Sequence, residues 1–165
     1  MHVAGSKGKG TVTLASECLL RAAGLRVGTY TSPHLSSWRE RFRIDGAPVG
    51  EAELVARLRA MQPEIERLRL DADLCPSFFD ASTALALALF REARVDVGAI
   101  EVGLGGEYDA TNVVGGKIAV ITKIARDHVD KFGDDRIRTA WEKAGIIKAG
   151  AVVISGVDQA DLARI

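Results

Sequence analysis

HVAGSKGKGT, residues 2–11, is the stretch that decides the fold. Three glycines and two lysines lie between a short apolar run, Met1 to Ala4, and a segment with helical spacing of Val12, Ala15, Leu19 and Ala22. Glycines let backbone amides approach phosphate oxygens with no side chain in the way. A helix N-terminus adds unpaired N–H groups and partial positive charge. Strand, glycine-rich loop and helix in that order open an α/β domain. The common phosphate-loop pattern is not met, because Val3 stands at its first glycine and Gly10 at its hydroxyl residue. A shorter variant, G-x-x-G-K-G-[ST], fits from Gly5 to Thr11. Gly5, Ser6, Lys7, Gly8, Lys9, Gly10 and Thr11 are therefore the nucleotide-binding candidates, with Lys9 reaching the outer phosphates. The alternative is a flexible glycine-rich turn.

Outward from this loop, strand and helix alternate. The expected helices run from Thr11 to Ala23, Glu51 to Leu68, Asp80 to Ala93 and Asp134 to Lys148. Pro63 is expected to kink or break the second. The third is apolar nearly all round and should be buried. Strands are expected over Arg26–Tyr30, Val95–Val102, Ile118–Thr122 and Val152–Ile154, and residues 31–48 read as a loop with an irregular ribbon. The alternation predicts an α/β fold of P-loop type, a mostly parallel sheet with helices on both faces. Such sheets bind ligands at the carboxyl ends of their strands. The unusual polar residues fall just there, in Ser6–Thr11, Thr31–His34, Glu101–Asn112 and Lys123–His128.

Composition narrows the function. With 165 residues and 47% hydrophobic content the chain can bury a core. Lysine plus arginine and aspartate plus glutamate balance at 22 each, which argues against nucleic-acid binding through bulk positive charge. No window approaches the about 18 apolar residues of a membrane span, and no secretory signal opens the chain. Cys18 and Cys75 fit no metal spacing and read as reduced thiols of a cytoplasmic protein.

Several residues stand out chemically. Glu101 ends the apolar run from Val97, where a carboxylate is costly unless paired or metal-bound. From residue type alone, His128, Ser32 and Lys143 read as a structural histidine, a turn serine and a solvated charge. Asp109, Thr111 and Asn112 suit either a structural turn or a binding loop. Phe78 and Phe79 suit core packing or the cover of an aromatic ligand. Arg39, Arg41 and Arg43 read as a solvated strand face, or as an attraction for an anionic ligand.

Five blocks in order carry a resemblance: HVAGSKGKGT, TSPHL with WRERFRIDG, EVGLGGEYDATN, ITKIARDHVDKFGD and EKAGIIKAG. Together they resemble the Mur ligase family, and within it the folylpolyglutamate and dihydrofolate synthases. Lys7 stands where the family often carries asparagine, and Glu107 where bacterial members commonly carry arginine. The resemblance implies an ATP-dependent ligase that phosphorylates a folate or pteroate carboxylate and joins L-glutamate to it. It implies ATP as substrate and magnesium held by Ser32, Glu101 and His128. It implies catalytic roles for Lys9 and for Lys143, the latter carbamylated and a further metal ligand, and substrate binding by Asp109 and Asn112. The chain matches the family's central ATP-binding domain over residues 1–165. The expectation is therefore a fragment without the N-terminal segment and the C-terminal ligase domain. A Mur-type ligase acting on a cell-wall precursor, and a nucleotide-binding fragment without catalysis of its own, are the competing readings.

Overall fold

The shortest parallel strand is the central one of the five parallel strands. In the computed structural model, which describes residues 1–125 and 135–158, β1 (His2–Ala4) runs parallel to β5 (Val97–Glu101) on one side and β6 (Ile118–Ile121) on the other. Beyond β5 lies β2 (Val27–Tyr30), and beyond β6 lies β7 (Val152–Ser155), both parallel. The ribbon expected after β2 is an antiparallel hairpin, β3 (Phe42–Ile44) and β4 (Ala47–Pro48), which gives the order β4-β3-β2-β5-β1-β6-β7.

Side chains alternate across a strand, and the helices follow that alternation. One face carries α1 (Lys9–Ala22), with Gly10 against Glu101. The other carries α3 (Phe78–Glu92), whose Leu85, Leu89 and Phe90 pack with Tyr30, Phe42 and Ile100. On that same face α4 (Arg136–Ala144) sets Ala140 against a cluster of Ala4, Ala119 and Ile121. Helices on both faces of a mostly parallel sheet are as expected from the sequence.

Local chemistry explains the helix ends. Ser77 and Asp80 form a reciprocal capping box at α3, and the Asp135 carboxylate accepts from the Ile137 and Arg138 amides at α4. By contrast, α1 begins at Gly8 with no side-chain cap. Its first N–H groups are thereby left to whatever lies before them. Pro63 does not break α2 (Glu51–Arg69), which continues through it while Leu54 and Met61 pack toward α3. Cys18 and Cys75 are exposed free thiols, and no helix among the described residues is long and apolar enough to cross a membrane.

Candidate active site

The loops after β1, β2 and β5 meet at the carboxyl end of the sheet. The first is the glycine loop. Gly5 has φ 147°, and a Cβ there would stand 1.8 Å from the Thr122 hydroxyl; Gly8 has φ 82°. Both conformations are left to glycine. The loop is pinned to the segment after β6 at several points. Ser6 N donates to Lys123 O at 2.7 Å, the Ser6 hydroxyl to Ala125 O at 3.1 Å, and the Thr122 hydroxyl to Lys7 O at 2.8 Å. Ser6 thus spends its hydroxyl on holding the loop. Lys9 Nζ curls back to Gly5 O at 3.1 Å, and Thr11 is exposed on the first turn of α1.

Glu101, at the end of β5, is only 4% exposed. Its Oε2 accepts from Ser32 N at 3.0 Å, and the Gly10 amide also donates to the carboxylate. Burial pushes the carboxyl above the ordinary glutamate range, while the Ser32 amide, Lys9, the Gly10 amide and Arg41 pull the other way. A buried carboxylate with a serine beside it offers the oxygen ligands that a hard divalent cation takes. Gly10, Thr31, Ser32 and Glu101 line one hollow of about 360 Å³. Among the described residues no three His, Cys, Asp or Glu side chains gather as a metal cluster. The expected ligand His128 lies outside the described residues.

A cleft of about 630 Å³ extends from there, lined by Lys9, Ser32, Arg41, Phe78, Phe79 and Asp109 among others. It is contiguous with a hollow of about 370 Å³ through Ser77, Phe79, Leu104 and Asp109. The arginine expectation needs correcting here. Arg41 is 9% exposed, with its Nε on His34 Nδ1 at 2.9 Å and its guanidinium 5.5 Å from the Phe78 ring centroid. Arg43 pairs with the buried Glu17 at 3.2 Å, and Arg39 donates to Val49 O at 2.8 Å. None is simply a solvated strand face, because the hairpin folds back and offers each a partner. Phe78 is 61% exposed at the cleft wall rather than in the core, whereas Phe79 is half-buried.

No family model matches the chain. Individual proteins do. It is 45% identical over 154 residues to the dihydrofolate synthase/folylpolyglutamate synthase of Escherichia coli, covering 93% of this chain and 35% of that protein. The fold superposes on Escherichia coli FolC in complex with DHPP and ADP with a TM-score of 0.89, at 40% identity, over 99% of this chain and 39% of that one. It also superposes on a bifunctional folylpolyglutamate synthase/dihydrofolate synthase with Mn, AMPPNP and L-glutamate bound, with a TM-score of 0.87, at 42% identity, over 99% and 40%. The chain is homologous to the folylpolyglutamate/dihydrofolate synthase family over nearly its whole length. It spans little more than a third of the length of these relatives.

Against the synthase motifs, the structure gathers Lys9, Ser32, Glu101 and Asp109 around adjoining hollows. The remaining candidates lie where α4 meets the 103–112 loop. Glu107 N donates to Glu142 O at 2.8 Å, and a Cβ on Gly106 would be 2.5 Å from that same oxygen. Lys143, one residue on, is 2% exposed, so it is not the solvated charge that residue type alone suggests. Asn112 Nδ2 donates to Glu107 O at 2.8 Å and to Gly145 O at 3.1 Å, which ties the loop to the end of α4. Asp109 caps a 3-10 turn and lines the cleft. The residue that sequence reasoning missed is His2, which lies buried with Thr111 behind Asp109. A histidine inside an apolar central strand was the available signal.

Proposed function

We propose that this chain is the nucleotide-binding and acyl-phosphate-forming core of an ATP-dependent ligase that joins L-glutamate to a folate or pteroate carboxylate. One observation carries the reading: a single cleft lined by Lys9, Ser32, Arg41, Phe78 and Asp109, with Glu101 buried beside Ser32. It combines a phosphate-binding end with an aromatic, hydrogen-bonding end, as a ligase for a carboxylate on an aromatic scaffold requires. The relatives' ligands, ADP with DHPP and AMPPNP with Mn and L-glutamate, match those two ends.

In this reading the γ-phosphoryl group of ATP passes to the substrate carboxylate, leaving ADP and an acyl phosphate. The amine of L-glutamate then attacks the acyl carbon, phosphate departs and an amide remains. The first step needs positioning and charge neutralisation above all. The loop amides before α1 cradle the phosphates, and Lys9 leaves Gly5 O to meet the outer phosphate oxygens. Arg41 carries positive charge to the cleft between the two ends. Ser32 and Glu101, with His128, are the residues that would hold a divalent cation, and Lys143 as its carbamate would offer further oxygens. Bound there, magnesium supplies positive charge to the phosphates. The aromatic wall of Phe78 and Phe79 holds a flat ring system while Asp109 accepts from its N–H groups. Asn112 contributes by fixing the loop on α4. A cytoplasmic setting agrees with two unpaired cysteines.

The test is ADP release by the chain with dihydropteroate, tetrahydrofolate or a cell-wall nucleotide precursor, each with and without L-glutamate. Glutamate-dependent release with a pteroate or folate supports the proposal. Release with the cell-wall precursor alone transfers it to another Mur-type ligase. Nucleotide binding without glutamate-dependent release reduces the chain to a nucleotide-binding module. For Lys143, an intact mass without the carbamate together with full activity in carbon-dioxide-depleted buffer would remove that part of the reading.

A further inference from the structure

Behind Asp109 runs a buried chain of polar groups that the mechanism above does not use. His2, fully buried in β1, has its Nε2 2.8 Å from the Thr111 hydroxyl, which is itself fully buried. That hydroxyl bonds in turn to Asp109 Oδ1, which also accepts from Thr111 N at 3.0 Å. Asp109 Oδ2 accepts from Leu104 N at 2.8 Å. Proton counting fixes the direction. An ionised carboxylate only accepts, so the single Thr111 proton goes to Asp109. Thr111 Oγ1 then has lone pairs to offer, and His2 must fill one with an Nε2–H. This leaves His2 Nδ1 as a bare acceptor, and it is buried with no partner among the described residues. An unpaired buried polar atom costs about 1–3 kcal/mol and calls for an explanation. Burial first, then the N-terminal ammonium and Lys148, hold the imidazole pKa down to about 4, so the ring stays neutral.

We propose that His2 is a positioning residue: through the Thr111 hydroxyl it fixes the Asp109 carboxylate as the acceptor for the N–H groups of a bound nitrogen heterocycle. The ligand class rests on the pteroate reading above; the hydrogen-bond chain does not. With Oδ1 held by Thr111 and Oδ2 by Leu104, the carboxylate keeps one orientation. Asp109 itself lines the cleft that Phe79 walls.

Calorimetric binding of dihydropteroate, with ADP as the control ligand, tests this on the full chain. His2→Leu and Thr111→Val should each weaken dihydropteroate about tenfold, the equivalent of one hydrogen bond to a charged group. ADP affinity should stay within about twofold. His2→Gln, which keeps an N–H donor near the Nε2 position, and Thr111→Ser should recover most of the loss. Equal losses in His2→Gln and His2→Leu, or an unaffected Thr111→Val, would overturn the proposal. If the wild-type chain binds no dihydropteroate, the substrate reading fails and nitrogen NMR of the His2 ring decides the rest. An Nε2–H tautomer, with an Asp109 carboxyl signal that moves in Thr111→Val, upholds the chain of bonds; an Nδ1–H tautomer overturns it.

Discussion

Two glycine-rich loops face one another across the cleft, and their glycines do different work. In Gly5–Gly10 positive φ angles at Gly5 and Gly8 turn the backbone, α1 starts without a side-chain cap, and Lys9 donates to the Gly5 carbonyl. In Gly103–Asn112 the glycines let other parts of the molecule come close. Gly103 lies under the Phe79 ring and Gly106 under Glu142 O, while Asp109, Thr111 and Asn112 are tied into turns and onto α4. Apart from Ser6 and Lys7 O, which pin it to the segment after β6, the first loop keeps its polar groups for a ligand; the second spends most of its own on the fold. Glycine content alone does not tell a binding loop from a packing loop.

That contrast can be broken by mutation. The largest effect is expected from Gly106→Val, whose side chain must displace Glu142 O and crowd Lys143 and Ile146. A loss of about 3 kcal/mol in chemical denaturation is expected from such overpacking. Lys9→Ala is the opposite case. Nucleotide affinity by calorimetry should fall about 10- to 100-fold, while unfolding changes by less than about 0.5 kcal/mol. An equal loss of stability in both variants would erase the distinction. Asn112→Ala removes two donated hydrogen bonds, and should cost about 1–2 kcal/mol of stability.

The smallest expected effect is a pH dependence. An unfolded imidazole takes up a proton below about 6.5, whereas folded His2 stays neutral down to about 4. In that window the unfolded state binds the extra proton, so stability falls as pH falls. About 1 kcal/mol should be lost between pH 6.5 and 5.5, and His2→Gln should flatten that segment of the curve.

Much of this was legible in the sequence because it rests on local rules. The strand–glycine–helix order, the helical spacing after Glu51 and the apolar run ending at Glu101 led to the right elements and to one end of the sheet. What was not legible depends on partners far along the chain. Arg41 looks solvated until His34 and Phe78 are brought beside it. Lys143 looks like a surface charge until the 103–112 loop covers α4. His2 and Thr111 are 109 positions apart, and no spacing rule joins them. Pro63 shows the other direction: of the kink or break it predicts, the break does not occur, because the local penalty is outweighed by the packing of the helix that contains it.

The placement of β1 has a consequence for how the molecule assembles. His2 has its strand neighbours at Ile100 and Ala119, and none nearer in sequence. Loop closure over such separations is a costly step on the way to a native sheet. During synthesis the glycine loop would therefore wait, without a paired strand to anchor it, until β5 and β6, roughly 100 and 120 positions further along, had left the ribosome. A strand that precedes both of its sheet partners in the chain is among the last to be locked, so nucleotide-binding competence becomes a late marker of folding.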